Sequence, residues 1–395
     1  MRGPDAVPAA PPAAPLLFDA STLDALIEAL HVKGFRVIAP TRRDNALVYG
    51  EIESAADLPA GWTDIQEAGI YRLMPREDGA LFGYAVGPHA WKRFLHEPVL
   101  RLVSARAGPS GMTLDEADGV AQPTAFLGVR ACELAAIARQ DQVFLDGPYV
   151  DHQYAIRRAA VLLIAVNCTA PSGTCFCASM GTGPRAGRGA DLTLTELLGG
   201  GRHVFLAEPG TARGAALLDA VPHRDATPDE VADAGAALAA AEGRMGRTLR
   251  TAGLHDALLA QSESPRWDEV AARCLTCGNC TMACPTCFCA TVDDTVSLRG
   301  DHAERWRKWD TCFSVDFSYL YGGSVRLSAR SRYRQWLTHK LATWHDQFGV
   351  SGCVGCGRCI TWCPVGIDMT VEAGAFLEAS GARGSAPPAA DGGSR

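Results

Sequence analysis

"GCVGCGRCITWCPVGID" (Gly352–Asp368) sets four cysteines at the spacing CxxCxxCxxxCP, and "CLTCGNCTMACPTCFC" (Cys274–Cys289) repeats that spacing 79 positions earlier. A thiolate is a soft ligand suited to zinc, copper(I) or an iron–sulfur cluster, so a CxxC pair alone leaves the metal open. Three cysteines at two-residue gaps, a fourth after three more residues and a proline directly behind it narrow the choice. A tight loop wraps the first three thiolates around one corner of a 4Fe-4S cubane, while the fourth points away and ligates the other cluster of a pair. Zinc sites normally pair two separated CxxC units with each other instead. On this reading cluster one is held by Cys274, Cys277, Cys280 and Cys363, and cluster two by Cys353, Cys356, Cys359 and Cys284. Each motif then depends on the other. Pro285 and Pro364 fix φ and turn the chain away after the last ligand. Gly278, Gly355 and Gly357 let the backbone pass close to a cluster or act simply as turn glycines.

Outward from these motifs, 395 residues are enough for two domains, each with its own core. The formal net charge of -7 argues against nucleic acid as a general partner, which needs a basic surface. No apolar run nears the roughly 20 residues that cross a bilayer; the longest, Ala159–Val166, has eight. The N-terminal "MRGPDAVPAAPPAAPLLF" is interrupted by five prolines and lacks the unbroken core of a secretory signal. It is expected to be a disordered lead-in (1–15) to a cytoplasmic protein. Fifteen cysteines at CxxC spacings in a long chain without an export signal favour metal ligation over disulfides. Four lie in the first 250 residues and eleven between Cys274 and Cys363. The expected organisation is an α/β domain over 16–255, a mainly helical, ferredoxin-like dicluster domain over 265–378 with a helical insert over 290–350, and a disordered tail over 379–395.

In the N-terminal part "TAFLGV" (Thr124–Val129), "AAVLLIAVN" (Ala159–Asn167) and "HVFLAE" (His203–Glu208) read as strands. They alternate with helical patterns such as "CELAAIARQDQVF", which implies a largely parallel sheet. Ala215–Thr251 reads as helix. Cys132 and Cys168 stand just after two of the strands, at the carboxyl edge where α/β folds place their ligands, and Cys175 and Cys177 follow in a loop. These four either hold a third iron–sulfur cluster or are buried, inert thiols. Cys287, Cys289 and Cys312 form a trio with no obvious fourth ligand and are expected to be structural.

Between the motifs lie 68 residues, too many for a minimal two-cluster ferredoxin. Arg299–Lys340 holds nine Lys or Arg against four Asp or Glu. Tyr333, Trp336, Leu337, Leu341, Trp344 and Phe348 recur at three- and four-residue steps, so they form one helix face that Gly349 can end. The face either packs over the clusters or docks a partner, and the two are compatible. "GTGPRA" fits GxGxxA but follows a cysteine loop rather than a strand, so it is not read as a nucleotide site. No histidine, serine or carboxylate set marks a hydrolytic or acid–base centre, and no catalytic residue is assigned.

"FLGVRACELAAI", "NCTAPSGTCFCASMGTGP", "CGNCTMACPTCFC" and "GDHAERWRKWDTCFSVDFSYLYGGSVR", with the segment from Ser331 to Asp368, together resemble the beta subunit of cytoplasmic nickel-iron hydrogenases, or sulfhydrogenases. The same domain pair resembles the electron-transfer subunit of anaerobic sulfite or sulfur reductases. The resemblance spans about Thr124–Val371. It implies an electron-transferring member of a complex, relaying single electrons between the small and large nickel-iron subunits and the FAD of an NAD(P)-linked subunit. The sulfite reductase counterpart, or a redox adaptor with structural clusters, are the other functions considered.

Overall fold

The computed structural model describes residues 14–116 and 121–381. The expected lead-in and tail lie outside the described residues apart from 14–15 and 379–381. In chain order the strands are β1 Leu16–Asp19, β2 Arg36–Arg43, β3 Ala46–Ile52, β4 Trp62–Glu67, β5 Ile70–Pro75, β6 Val99–Gly108, β7 Gly111–Glu116, β8 Thr124–Val129, β9 Val161–Val166, β10 Leu192–Gly199, β11 Arg202–Pro209 and β12 Arg224–Asp225. Four more follow in the second half: β13 Ala290–Val296, β14 His302–Trp309, β15 Tyr319–Leu320 and β16 Gly323–Ser324.

Eight strands form the main sheet in the order β12-β1-β11-β10-β9-β8-β2-β3. β8 and β9 are buried along their whole length. Their unbroken apolar runs fit strands covered by helices on both faces. The helix Leu23–Val32 packs Leu23, Leu26, Ile27 and Leu30 on one face, and the helix Ala131–Phe144 packs Leu134 and Ile137 on the other. The sheet is mixed rather than largely parallel. Only the β2–β8, β8–β9 and β9–β10 pairs are parallel. The β2–β3 and β10–β11 pairs are antiparallel because their turns are too short for a crossover, and β1 adds antiparallel to β11 and β12 from a distant part of the chain. Asp44 and Asn45 both take positive φ between β2 and β3, as do Gly200 and Gly201 between β10 and β11, and two such residues close a hairpin.

The stretch read as helix from Ala215 to Thr251 divides into Ala212–Leu218 and Pro228–Gly243. Arg224–Asp225 joins the sheet edge between them, and a Thr227/Glu230 capping box with Pro228 at the first turn restarts the helix.

A second sheet runs β13-β14-β6-β7. The segment expected to begin a helical insert at 290 is therefore a β-hairpin through Trp309, and apart from one 3-10 turn at Asp316–Ser318 α-helix begins only at Ala329. β14 pairs with β6 from the first half, so the two halves share a ladder. An exposed β14 edge would leave its backbone donors and acceptors without protein partners, and β6 supplies them. Around this hairpin the second half is helical, with Trp267, Leu337, Ala373 and Phe376 at its core.

The aromatic face appears as Ala329–Thr338, a π turn over His339–Thr343 and Trp344–Phe348, closed by left-handed Gly349. Tyr333, Trp336, Leu337, Leu341 and Trp344 are all buried.

Candidate functional site

The two cysteine motifs share a backbone plan. Thr276 and Gly355, each two residues after the first cysteine, both take positive φ (52° and 64°). Each donates its N–H to that cysteine's sulfur at 3.4 Å, Thr276 to Cys274 and Gly355 to Cys353. Gly278 and Gly357, both at φ 76°, then open the one-turn helices Asn279–Met282 and Arg358–Thr361. This conformation curls each loop, and residues with a Cβ rarely adopt it.

Cys274, Cys277 and Cys280 of the first motif line one hollow together with Cys359 and Cys363 of the second, alongside Phe313, Tyr333 and Trp336. Cys277 alone among the fifteen cysteines is exposed. Burial raises the proton affinity of Cys280, and the neighbouring Cys274, Cys277 and Cys363 thiols add to it. Cys359, also raised first by burial, feels Cys353, Cys356 and Cys284 as its next neighbours. The first motif's fourth cysteine thus faces the second motif's first three, and the reverse holds for Cys363.

Among the described residues no three Cys, His, Asp or Glu side chains converge tightly enough for a single metal ion. Zinc holds its sulfurs about 2.3 Å away, so its ligands lie almost in contact. Thiols set more widely around a hollow suit a group of several irons, and the all-sulfur donor set agrees with it.

The N-terminal cysteines border this centre. Cys132 packs with Cys177 and Cys356 in one buried cluster. Burial pushes Cys175 up to about 12, with Cys168 the next contribution. Cys177 is likewise raised by burial and then by Cys175, Cys168 and Cys356. Cys177 therefore packs with Cys132 and Cys356 and also feels Cys175 and Cys168, whereas Cys132 leans toward the second motif.

The glycines of the second motif serve this junction. A Cβ on Gly355 would meet the Cys177 Cα at 2.6 Å, and one on Gly357 the Thr174 carbonyl oxygen at 2.4 Å. Gly278 meets only the Thr311 side chain. Phe176 N–H donates to the Gly355 carbonyl at 2.9 Å and Thr182 Oγ1 to the Val354 carbonyl at 2.7 Å.

Of the buried Lys and Arg residues, three beside the motifs went unrecognised in the sequence. Arg358 is fully buried between Cys356 and Cys359, where it pairs with Glu133 at 2.5 Å and donates to the Gly87 and His89 carbonyls. Glu133 also accepts from Tyr49 and Trp91. Lys340, 3% exposed, donates to Cys284 Sγ at 3.3 Å and Thr286 Oγ1 at 2.9 Å. Lys92, 4% exposed, donates to the Thr281 and Cys287 carbonyls and lies over the Trp309 ring. Lys340 had a readable signal: it falls four residues after Trp336 and three after Leu337, on the apolar stripe itself. Much of the basic excess over Arg299–Lys340 is paired within the chain, as Arg305 with Asp294, Lys308 with Asp293, Arg307 with Asp151, and Arg330 and Arg334 with Glu263.

Residues 273–367 match the 4Fe-4S dicluster domain family, so the class is that of proteins carrying iron–sulfur clusters. The chain is 33% identical over 261 residues to Sulfhydrogenase 2 subunit beta from Pyrococcus furiosus, an alignment covering 64% of this chain and 73% of that one. It belongs to the sulfhydrogenase beta-subunit family and is an iron–sulfur electron-transfer subunit. No solved structure matches it. Among the described residues no helix is long and apolar enough to cross a membrane.

Proposed function

We propose that the chain holds two 4Fe-4S clusters in crossed fashion, one on Cys274, Cys277, Cys280 and Cys363 and one on Cys353, Cys356, Cys359 and Cys284. In this role it relays single electrons in a cytoplasmic complex between a flavin subunit serving NAD(P) and the nickel-iron subunits. The observation that carries the reading is the place of Cys363, which lines a hollow with three cysteines from a motif 79 positions away and is among the thiols felt by Cys274 and Cys280, whereas Cys359 at the same hollow feels Cys353, Cys356 and Cys284 first. When bound, the clusters supply one-electron redox chemistry. Tyr333, Trp336 and Phe313 exclude water from that hollow. Lys340 and Lys92 place positive charge beside the thiolates, and the Thr276 and Gly355 N–H groups bond to sulfur. These are the means by which a protein tunes cluster potential.

A third cluster on Cys132, Cys168, Cys175 and Cys177 belongs to the same proposal. It is supported by the burial of all four thiols and by the buried Arg130 guanidinium beside Cys168, which donates only to carbonyls. Cys175→Ser in the full chain should then lower iron from about twelve to about eight per chain. An unchanged count would leave these cysteines as buried thiols.

Anaerobic purification from the native host, with the co-purifying chains identified and metals counted, tests the function. Nickel, flavin and hydrogenase subunits are expected. A sirohaem-binding partner without nickel would place the chain in a sulfite reductase, and zinc in place of iron would overturn the electron-transfer reading.

A further inference from the structure

Cys289 and Cys312 lie outside both four-cysteine sets and outside the N-terminal group. Their thiols stand within hydrogen-bonding reach of each other, and the Cys312 N–H also donates to the Cys289 sulfur. The hairpin dictates this meeting. The β13–β14 ladder ends at Ala290 opposite Trp309, and the Asp310 N–H then donates to the Cys289 carbonyl at 2.9 Å. Thr311, just before Cys312, is pinned by Thr281 Oγ1 at 2.7 Å.

We propose that Cys289 and Cys312 form a reversible dithiol–disulfide couple that draws electrons from the neighbouring clusters and reduces low-molecular-weight disulfides. The link to the clusters rests on the cluster reading above; the couple itself does not. Several observations point the same way. Both residues are partly accessible, unlike the sealed Cys284, Cys353 and Cys356, so a small disulfide can reach them. Cys312 is close enough to Cys280, a proposed ligand of cluster one, to feel its charge. Lys340 and Lys92, neither with a carboxylate partner among the described residues, lie within electrostatic reach of Cys289 as well as of Cys284. The hydrogen bond from Cys312, and after it Lys340 and Lys92, hold the Cys289 thiol down to about 7. A thiolate fraction near neutral pH is what thiol–disulfide exchange requires.

The chemistry balances in two halves. Cys289 thiolate attacks a small disulfide RSSR, releasing RS⁻, and the Cys312 thiol then displaces the second RS⁻ with loss of its proton, leaving the Cys289–Cys312 bond. Two electrons, one from each reduced cluster, and one proton cleave that bond back to a thiolate and a thiol.

The test uses the iron-loaded full chain, prepared without oxygen, exposed to oxidised glutathione and freed of it, then titrated with reduced methyl viologen. Wild type should take up about two electrons per chain more than C289S/C312S, at equal iron content. Alkylation and peptide mapping should find Cys289 linked to Cys312 before the titration and free after it. If the double variant does not fold, Cys312→Ser, which keeps a hydroxyl in place, should show the same deficit. Equal uptake with both thiols alkylated from the start overturns the proposal. So does a lower iron content in C289S/C312S, which would make the pair cluster ligands. Absence of iron from both proteins would fault the cluster reading instead, and the linked peptide alone would then decide the couple.

Discussion

Cys363 belongs to the second motif by sequence and to the first hollow by position. Cys363→Ala should therefore abolish the spectroscopic signal of the cluster on Cys274, Cys277 and Cys280 while that on Cys353, Cys356 and Cys359 persists. Electron paramagnetic resonance of the reduced protein reads this, and loss of only the second signal would reverse the assignment. Lys340 acts on the other centre. Replacing it with Met removes a positive charge beside Cys284, which disfavours the more negative, reduced cluster. The potential of cluster two should fall, by no more than about 4 kcal/mol, the energy of one charge at about 4 Å in an effective dielectric of about 20. A redox titration checks the direction. The dicluster character of the segment could be read from spacing alone, because the spacing is itself the constraint on a loop around a cubane. Lys340 was legible only in part: its place on the apolar stripe signals burial, but not the thiolate partner that the first motif supplies.

Elements divide by how completely their pattern reports their surroundings. β8 and β9 were legible because burial on both faces demands unbroken apolar runs. The hairpin over 290–309 was not, because its strands are half-exposed and rich in paired charges such as Asp294 with Arg305, so no face is uniformly apolar. The loop around Gly355 marks another boundary: its glycine was legible, its contact with Cys177 was not. Gly355→Ala combines a left-handed backbone, about 1–2 kcal/mol, with a backbone clash and should destabilise the fold by at least that much. Gly374→Ala, in the helix Met369–Ala379 with open space around it, should instead stabilise by about 0.5–1 kcal/mol. Thermal unfolding of the two variants side by side distinguishes a contact-driven glycine from an incidental one.

At the scale of the whole molecule, Arg358 and Glu133 tie the second motif to the helix that follows β8. Glu133→Gln leaves a buried guanidinium without its counter-charge, a loss of about 3–5 kcal/mol, and denaturant unfolding should find both halves weakened together. Burial also makes the metal-free chain sensitive to base. Cys353 and Cys175 are both pushed up to about 12, so between an unfolded thiol's ordinary value near 8.5 and about 12 the native state holds protons that the unfolded state has released. Stability contributed by these thiols is complete below about pH 8.5 and falls as pH rises, by about 1.4 kcal/mol per pH unit for each. Urea midpoints at pH 8 and pH 10 should separate for the iron-free chain and draw together on iron loading, because ligated thiolates carry no proton.

By itself the sequence determined the cluster motifs, the α/β character of the first half and the aromatic helix over the centre, since each depends on local spacing or on a periodicity that burial imposes on one segment. The tertiary structure alone decided the rest: the pairing of β14 with β6, the seating of Gly355 on the Cys177 loop, the Arg358–Glu133 bond and the meeting of Cys289 with Cys312. These depend on which segments touch across as many as 225 residues of chain. A contact of that kind leaves no periodic trace in either segment, because a buried charge or thiol is acceptable only through a partner that the local sequence does not contain.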